Sequence, residues 1–164
     1  MSNRFKLEEM FHQADLDIKD GYYDSAFRKL EDILVEEPLF GKAYNHMGWM
    51  YETKLKDYTK AEECYRKALD SDPNYPAIYT NYSILLSTLG KFEELKTLLE
   101  KALTVPGVDK ANVYNEFGIM YEQMGDFDKA IENYRKCGEL TLNKDTLNRA
   151  MDSIDRCRTK LTLT

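Results

Sequence analysis

The chain has 164 residues, of which 43% are hydrophobic and 32% are charged, and its formal net charge is −6 at pH 7. This length suits one compact domain or a short repeat array, and the apolar content excludes a chain that stays disordered. The excess of 29 acidic over 23 basic residues argues against nucleic-acid binding, because such a surface needs an excess of lysine and arginine.

No apolar run approaches the roughly 20 residues that cross a bilayer, and the N-terminal segment carries acids where a signal peptide is apolar. The three cysteines lack the CxxC spacing of a zinc site or a disulfide framework. We expect Cys137 and Cys157 to be buried, and Cys64 to be exposed among charged neighbours. These features predict a cytoplasmic protein with no membrane contact, no cofactor and no metal.

Helical spacing recurs along the chain, and no alternating strand pattern of useful length interrupts it. The predicted helices form pairs at about 5–20 with 24–36, 40–54 with 59–71, 77–89 with 92–104, and 110–124 with 127–139. Three of these units start 35 residues apart, at Tyr44, Tyr79 and Tyr114. A small residue follows four positions later in each unit, namely Gly48, Ser83 and Gly118.

Glycine and proline stand in phase with these pairs. Gly21, Gly90 and Gly125 separate the two helices of a unit, and Pro38 and Pro73 follow a second helix. Because these residues end helices, their common phase supports a repeat. The segment 144–161 breaks the repeat pattern but keeps one apolar stripe, which predicts a helix that caps the last pair.

The best unit carries its pattern at Tyr44, Met47, Gly48, Tyr51, Tyr58, Ala61, Tyr65, Ala68 and Pro73. With this pattern the chain resembles the tetratricopeptide repeat family over about residues 7–142. The resemblance implies an all-α fold: an α-solenoid of antiparallel helix pairs that forms a right-handed superhelix of about nine helices. It also implies one domain over residues 1–164, with repeats at about 7–40, 41–75, 76–110 and 111–144 and the capping helix at 144–161. Two repeats depart from the family by one extra residue, in the segments KLKDY and VPGVDK.

The resemblance further implies that the first helix of each pair lines a concave face. The residues expected there are Lys42, Asn45, Trp49, Glu52, Thr80, Ile84, Asn112, Asn115, Ile119 and Glu122. An apolar strip with a few polar side chains suits a peptide groove, and tryptophan is a frequent binding anchor. The alternative is that the isoleucines pack between helices and that the asparagines are simply solvated.

Members of this family that bind chaperone tails hold a terminal carboxylate with lysine, asparagine and arginine side chains. The corresponding positions here are Phe11, Asp15, His46, Ala77 and Asn81, and none of them matches. We therefore do not expect a chaperone C-terminal carboxylate as partner, and the acidic inner positions favour a neutral, apolar or mildly basic segment. We expect His12 and His46 to lie on the surface, on neighbouring helices.

The sequence contains no phosphate loop, nucleophile elbow or HExxH motif, which argues against an enzyme. We expect a protein–protein interaction module or scaffold that binds an unidentified protein or peptide segment in its groove. The alternative is a self-assembling repeat protein, a head-to-tail or dimeric homo-oligomer. Residues 1–40 hold 10 acids and 5 bases, whereas residues 141–164 hold 3 acids and 5 bases, so opposite ends could attract.

Overall fold

The computed structural model describes residues 3–163. Within that range it contains nine α-helices and no strand, which confirms the all-α prediction. The helices are α1 (Asn3–Asp20), α2 (Tyr23–Glu36), α3 (Gly41–Met50), α4 (Tyr58–Ser71), α5 (Pro76–Thr88), α6 (Phe92–Ala102), α7 (Lys110–Gln123), α8 (Phe127–Leu140) and α9 (Lys144–Leu161). A π-helical turn, Tyr51–Leu55, continues α3. None of the described helices combines the length and apolar composition needed to cross a bilayer.

The chain divides into two compact units, unit 1 up to Leu85 and unit 2 from Leu86, and this boundary lies within α5. In unit 1, α1 packs on α2 and α3 packs on α4 as antiparallel pairs. A core cluster of unit 1 joins Leu7 and Ala14 of α1 to Leu30 of α2 and Met50 of α3, all of them buried. Each of the three helices contributes an alanine as well as a large apolar residue to this cluster, and the alanines let the backbones approach closely.

In unit 2, α8 packs on α7 and on α9. On α9, Ala150 and Cys157 are buried and belong to the core clusters of unit 2. Leu147 and Met151, which belong to the apolar stripe of the predicted capping helix, are 38% and 55% exposed. α9 thus packs along α8, and the apolar stripe of the predicted capping helix is only partly buried.

All three cysteines are buried and unpaired. This confirms the expectation for Cys137 and Cys157 and contradicts it for Cys64. Cys64 comes three residues after Ala61 and four before Ala68, so it shares their buried side of α4 despite its charged neighbours in the sequence. Burial raises the pKa of the Cys64 thiol to about 11.

Two glycines of the repeat make room for a tyrosine of the partner helix. A Cβ atom on Gly48 would lie 2.8 Å from the ring of Tyr65, and one on Gly118 would lie 2.6 Å from the ring of Tyr134. Both rings are fully buried. These positions therefore exclude any side chain, as the small residues at 48 and 118 predicted.

The turns between paired helices close with one recurring hydrogen bond, from a backbone N–H to a carbonyl five residues earlier. The bonds join Tyr22 to Asp17 (2.7 Å), Lys91 to Leu86 (2.9 Å) and Asp126 to Tyr121 (2.9 Å). In each turn the residue before the donor is a glycine with positive φ, at +83°, +67° and +79°. This is the left-handed helix ending that glycine favours.

The turn between α3 and α4 contains one residue more. Here the Asp57 N–H donates to the Tyr51 carbonyl, six residues earlier, at 3.0 Å, and the π-helical turn contains the extra residue. Lys56 takes the left-handed position with a φ of 55°. The insertion noted in the segment KLKDY is thus accommodated within one turn, and α4 begins with a normal Asp57 cap.

Candidate functional site

A cleft of about 520 Å³ in unit 1, here called the Trp49 cleft, is bounded by α1, α3 and α5. Two of the residues predicted to bind a partner line it, Asn45 and Trp49. Its other lining residues are Asp15, Ile18, Lys19, Tyr23, His46, Lys54, Ala77 and Asn81. Three first helices of successive pairs thus contribute residues to one cleft.

The apolar part of the cleft is aromatic. The ring of Trp49 is partly exposed, and the Lys54 ammonium lies 5.2 Å from its centroid and 5.1 Å from the centroid of Tyr23. This geometry is a double cation–π contact. No carboxylate in the described part of the chain pairs with Lys54, so the two rings hold a cation that can still bind an anion.

The polar part of the cleft is partly preorganised. The Asn81 side-chain amide donates a hydrogen bond of 3.2 Å to the Asn45 side-chain oxygen. Asn45 is buried, whereas Asn81 is partly exposed. Asn81 is therefore the more accessible amide of the pair, and Asn45 orients it.

His46 forms a polar cluster with two side chains of α1. Its Nε2 lies 3.3 Å from an Asp15 carboxylate oxygen, and the Lys19 ammonium lies 2.7 Å from the other oxygen. Burial lowers the pKa of His46, and the hydrogen bond from Lys19 lowers the pKa of Asp15. The ion pair leaves Asp15 charged while His46 is neutral near pH 7. Because His46 is half-buried and bonded to Asp15, the expectation of a surface histidine is wrong for it; His12 is exposed.

Glu52 does not face the cleft. It is buried, and its carboxylate accepts a hydrogen bond of 2.7 Å from the Tyr65 hydroxyl. Burial raises the pKa of Glu52. The charged side chains that line the cleft are therefore Lys19, Lys54 and Asp15, so acidic positions, on which the expectation of a neutral, apolar or mildly basic segment was based, do not dominate this cleft.

Three other predicted residues of unit 1 lie outside the Trp49 cleft. Lys42 forms an ion pair with Glu8 at 3.3 Å and lies over the rings of Phe11 and Tyr75. Thr80 and Ile84 are exposed on α5. Their role in binding stays a prediction.

In unit 2, the predicted residues Asn112, Asn115 and Ile119 line a second cleft of about 600 Å³, here called the polar cleft. The facing wall belongs to α9 and contains Thr146, Arg149, Asp152, Ser153 and Arg156. The helix that follows the last pair thus forms one side of this cleft. Binding there also stays a prediction.

Glu122, the last predicted residue, is held within unit 2. The Arg156 guanidinium donates two hydrogen bonds of 2.7 Å to its carboxylate, and Lys160 and the Tyr134 hydroxyl donate at 2.7 and 2.8 Å. The Arg156 hydrogen bonds contribute most to a pKa lowered to about 2. Because this carboxylate already accepts four hydrogen bonds, it stabilises the packing of α9 and is not available to bind a partner.

Sequence reasoning missed Lys54 and Tyr23. Tyr23 begins a second helix, which the pattern assigns to the outside of the array, and Lys54 lies in the inserted turn. The one-residue insertion was the available signal, because π-helical turns are frequent at functional sites. Among residues 3–163 no group of three or more histidine, cysteine or acidic side chains could hold a metal ion.

Comparison with known proteins agrees with this architecture. A tetratricopeptide repeat model matches residues 41–75 and 111–144, and a second tetratricopeptide repeat model matches residues 64–96, so together they cover more than half of the chain. Heat shock protein STI1 of Saccharomyces cerevisiae is 31% identical over 62% of this chain and 17% of its own length. Human tetratricopeptide repeat protein 13 is 29% identical over 77% of this chain and 15% of its own length. The chain therefore spans about a sixth of these curated relatives.

Solved structures share the fold. The pilF protein of Pseudomonas aeruginosa has a TM-score of 0.79 at 22% identity, covering 94% of this chain and 70% of that one. A thermophilic TPR protein of Thermus thermophilus has a TM-score of 0.67 at 18% identity, covering 93% and 83%. A MamA protein structure has a TM-score of 0.71 at 20% identity, covering 95% and 88%. At these identities the likeness concerns the helix-pair fold alone.

Proposed function

The chain belongs to the tetratricopeptide repeat family, and we propose that it is an interaction module that binds a peptide segment of a partner protein in the Trp49 cleft. Proteins of this family generally mediate protein–protein interaction and are typically non-catalytic scaffolds. We propose no catalytic role here, because Asp15, Lys19 and His46 of the cleft are engaged with one another.

The observation that carries this proposal is the accessible face of Trp49 in a concave site that already has polar groups beside it. An apolar side chain of the partner would pack on Trp49 and Ile18, and Asn81 would bond the partner's backbone. An amide both donates and accepts, so it suits a backbone in extended form. Tryptophan in such a pocket commonly contributes most of the binding free energy.

The charges of the cleft favour one class of segment. Asp15 is neutralised by Lys19, whereas Lys54 lies over the rings of Trp49 and Tyr23 and forms no ion pair with a carboxylate of residues 3–163. A partner carboxylate one or two residues from the apolar anchor would pair with Lys54. We propose an apolar residue flanked by aspartate or glutamate as the recognised feature.

The test is selection of peptides from a displayed library against the chain, followed by calorimetric titration of the selected peptides. Trp49→Ala should weaken binding by about thirtyfold or more, the effect of losing about 2 kcal/mol at a hot spot. Lys54→Glu should weaken binding of acidic peptides more than binding of their amide counterparts. Because Trp49 is the only tryptophan, its fluorescence in the wild-type chain should change on binding.

Tyr22→Ala is the matched control, because Tyr22 is an exposed aromatic residue of unit 1 that does not line the cleft. Circular dichroism checks that each variant keeps its helices. Selected peptides that bind Trp49→Ala as tightly as the wild type would refute the assignment of the cleft. Equal losses of peptide affinity in Tyr22→Ala and Trp49→Ala would also refute the assignment of the cleft.

A further inference from the structure

The exposed face of α9 contains two large apolar residues, Leu147 and Met151, which are 38% and 55% exposed. We define the α9 outer face as Lys144, Leu147, Asn148, Met151 and Asp155, which recur at helical spacing and are all exposed. Leu147 and Met151 border the buried side of α9. Leu147 precedes the buried Ala150 by three residues, and its side-chain tip lies 3.3 Å from the position that a Cβ atom on Gly138 of α8 would take. Terminal helices of repeat arrays normally have a polar outer side, so two partly exposed large apolar residues on this face offer a contact surface.

The order of charges along this face is self-complementary. Lys144 lies at one end, Asp155 at the other, and Leu147 and Met151 lie between them. When a second α9 runs antiparallel across a twofold axis near residue 149 or 150, Leu147 meets Met151 of the second copy. The same rotation brings Lys144 opposite Asp155 of the second copy, and each contact occurs twice.

From this pattern we propose that the α9 outer face is a homodimer interface, in which two copies of the chain pair through antiparallel α9 helices. This surface is separate from the Trp49 cleft, and the inference does not depend on the proposed function. Asp155 already pairs with Arg158 at 3.2 Å, but both side chains are well exposed. A surface pair of this kind contributes little, so its exchange for an intermolecular pair costs little.

The charge distribution argues against the head-to-tail arrangement that the sequence suggested. The surplus of two positive charges in residues 141–164 corresponds to Arg156 and Lys160, and both bind Glu122. The remaining charged side chains of α9 are balanced in sign, so this end offers little attraction to the acidic N-terminal end. A neutral face can pair with its own copy without repulsion, whereas residues 1–40, with twice as many acids as bases, cannot.

The interface is small, because α9 has 18 residues and a helix of that length spans about 27 Å. Leu140 and Leu142, exposed where α8 ends, could enlarge it. Interfaces at the low end of the size range are weak and transient. We therefore expect a dimer that dissociates on dilution.

Sedimentation equilibrium over a range of chain concentrations tests the proposal. Met151→Glu should abolish the dimer. Lys144→Glu and Asp155→Lys alone should each raise the dissociation constant about tenfold, because each places like charges opposite one another at both ends. The double variant Lys144→Glu/Asp155→Lys restores opposite charges and should return the dissociation constant to within about threefold of the wild type.

Val35→Glu is the matched control, because Val35 is an 81% exposed apolar residue of unit 1. It should leave the dimer unchanged, and so should Trp49→Ala. A wild-type chain that stays monomeric at the highest concentration would overturn the proposal. A charge-swapped double variant that dissociates as readily as the single variants would overturn it too, because it would exclude the antiparallel register.

Discussion

Replacing Gly118 by alanine should destabilise the chain, although alanine is the better helix former. A Cβ atom at this position would lie 2.6 Å from two ring carbons of Tyr134 and 2.9 Å from a third. Contacts under 3 Å cannot persist, so the ring or the helix must move. Tyr134 is fully buried, and its hydroxyl is held by Glu122 at 2.8 Å, so the ring has no space to give.

The expected magnitude follows from opposing effects. Overpacking of this kind costs about 1–3 kcal/mol, and weakening of the Tyr134–Glu122 hydrogen bond adds about 1 kcal/mol. The higher helix propensity of alanine offsets about 1 kcal/mol of this. We expect a net loss of about 1–3 kcal/mol, which lowers the melting temperature by about 2–4 °C per kcal/mol in a chain of this size.

Gly138 provides the control in the same unit. A Cβ atom there would lie 3.3 Å from the Leu147 side-chain tip and at an ordinary contact distance of 3.8 Å from the Ala150 Cβ, and Leu147 is exposed enough to move. Gly138→Ala should therefore be neutral or stabilise by up to about 1 kcal/mol. Urea unfolding followed by circular dichroism measures both variants. If Gly118→Ala were as stable as Gly138→Ala, the close approach of α7 and α8 would not limit the size of this residue.

The equivalent glutamates of two repeats should respond differently to amide substitution in urea unfolding. Glu122→Gln should lower the free energy of unfolding by about 1–2 kcal/mol at pH 7. Because the folded state lowers the pKa of Glu122 to about 2, the difference in stability between wild type and variant should shrink as pH falls from about 4.5 towards 2. Glu52→Gln should change stability by less than about 1 kcal/mol at pH 7, because burial raises the pKa of Glu52 and an amide can still accept the tyrosine hydroxyl; a cost as large as that of Glu122→Gln would contradict this. The three buried cysteines should react with a thiol reagent only after unfolding, because burial raises their pKa values. We also propose that residues 1–164 form one domain, so that Trp49 fluorescence, which reports on unit 1, and circular dichroism should give the same melting midpoint; separate midpoints would show two independent units.

The helix pairs were predictable because each repeat position requires one residue type, for example a small residue where two helices come close or a glycine where a helix ends. The helix predicted over 24–36 is observed as Tyr23–Glu36, and the one over 127–139 as Phe127–Leu140. Glycines at the turns and at positions that meet a tyrosine restrict the backbone in a way that other residues would not tolerate. Such constraints are local and are visible in one sequence.

The candidate site was only partly predictable, because spacing gives the direction of Cβ and not the end of a long side chain. Glu52 and Glu122 have the spacing of inner-facing residues, yet both carboxylates turn towards a tyrosine hydroxyl of the next helix. The pair of Asn45 and Asn81 depends on contact between residues 36 positions apart. Lys54 reaches Trp49 through an inserted turn whose conformation the repeat pattern does not specify.

In a regular helix, the number of residues fixes the direction in which later side chains point. The inserted turn after α3 separates these two properties. One extra residue in a regular helix rotates everything beyond it by about 100°. Here the rotation is absorbed before α4 starts, and Asp57 caps α4 as Asp126 caps α8, with hydrogen bonds of 3.1 and 3.2 Å. A repeat of this kind can therefore gain one residue while its second helix keeps the same cap and the same contacts. The added residue can also place a charged side chain, here Lys54, beside a ligand site.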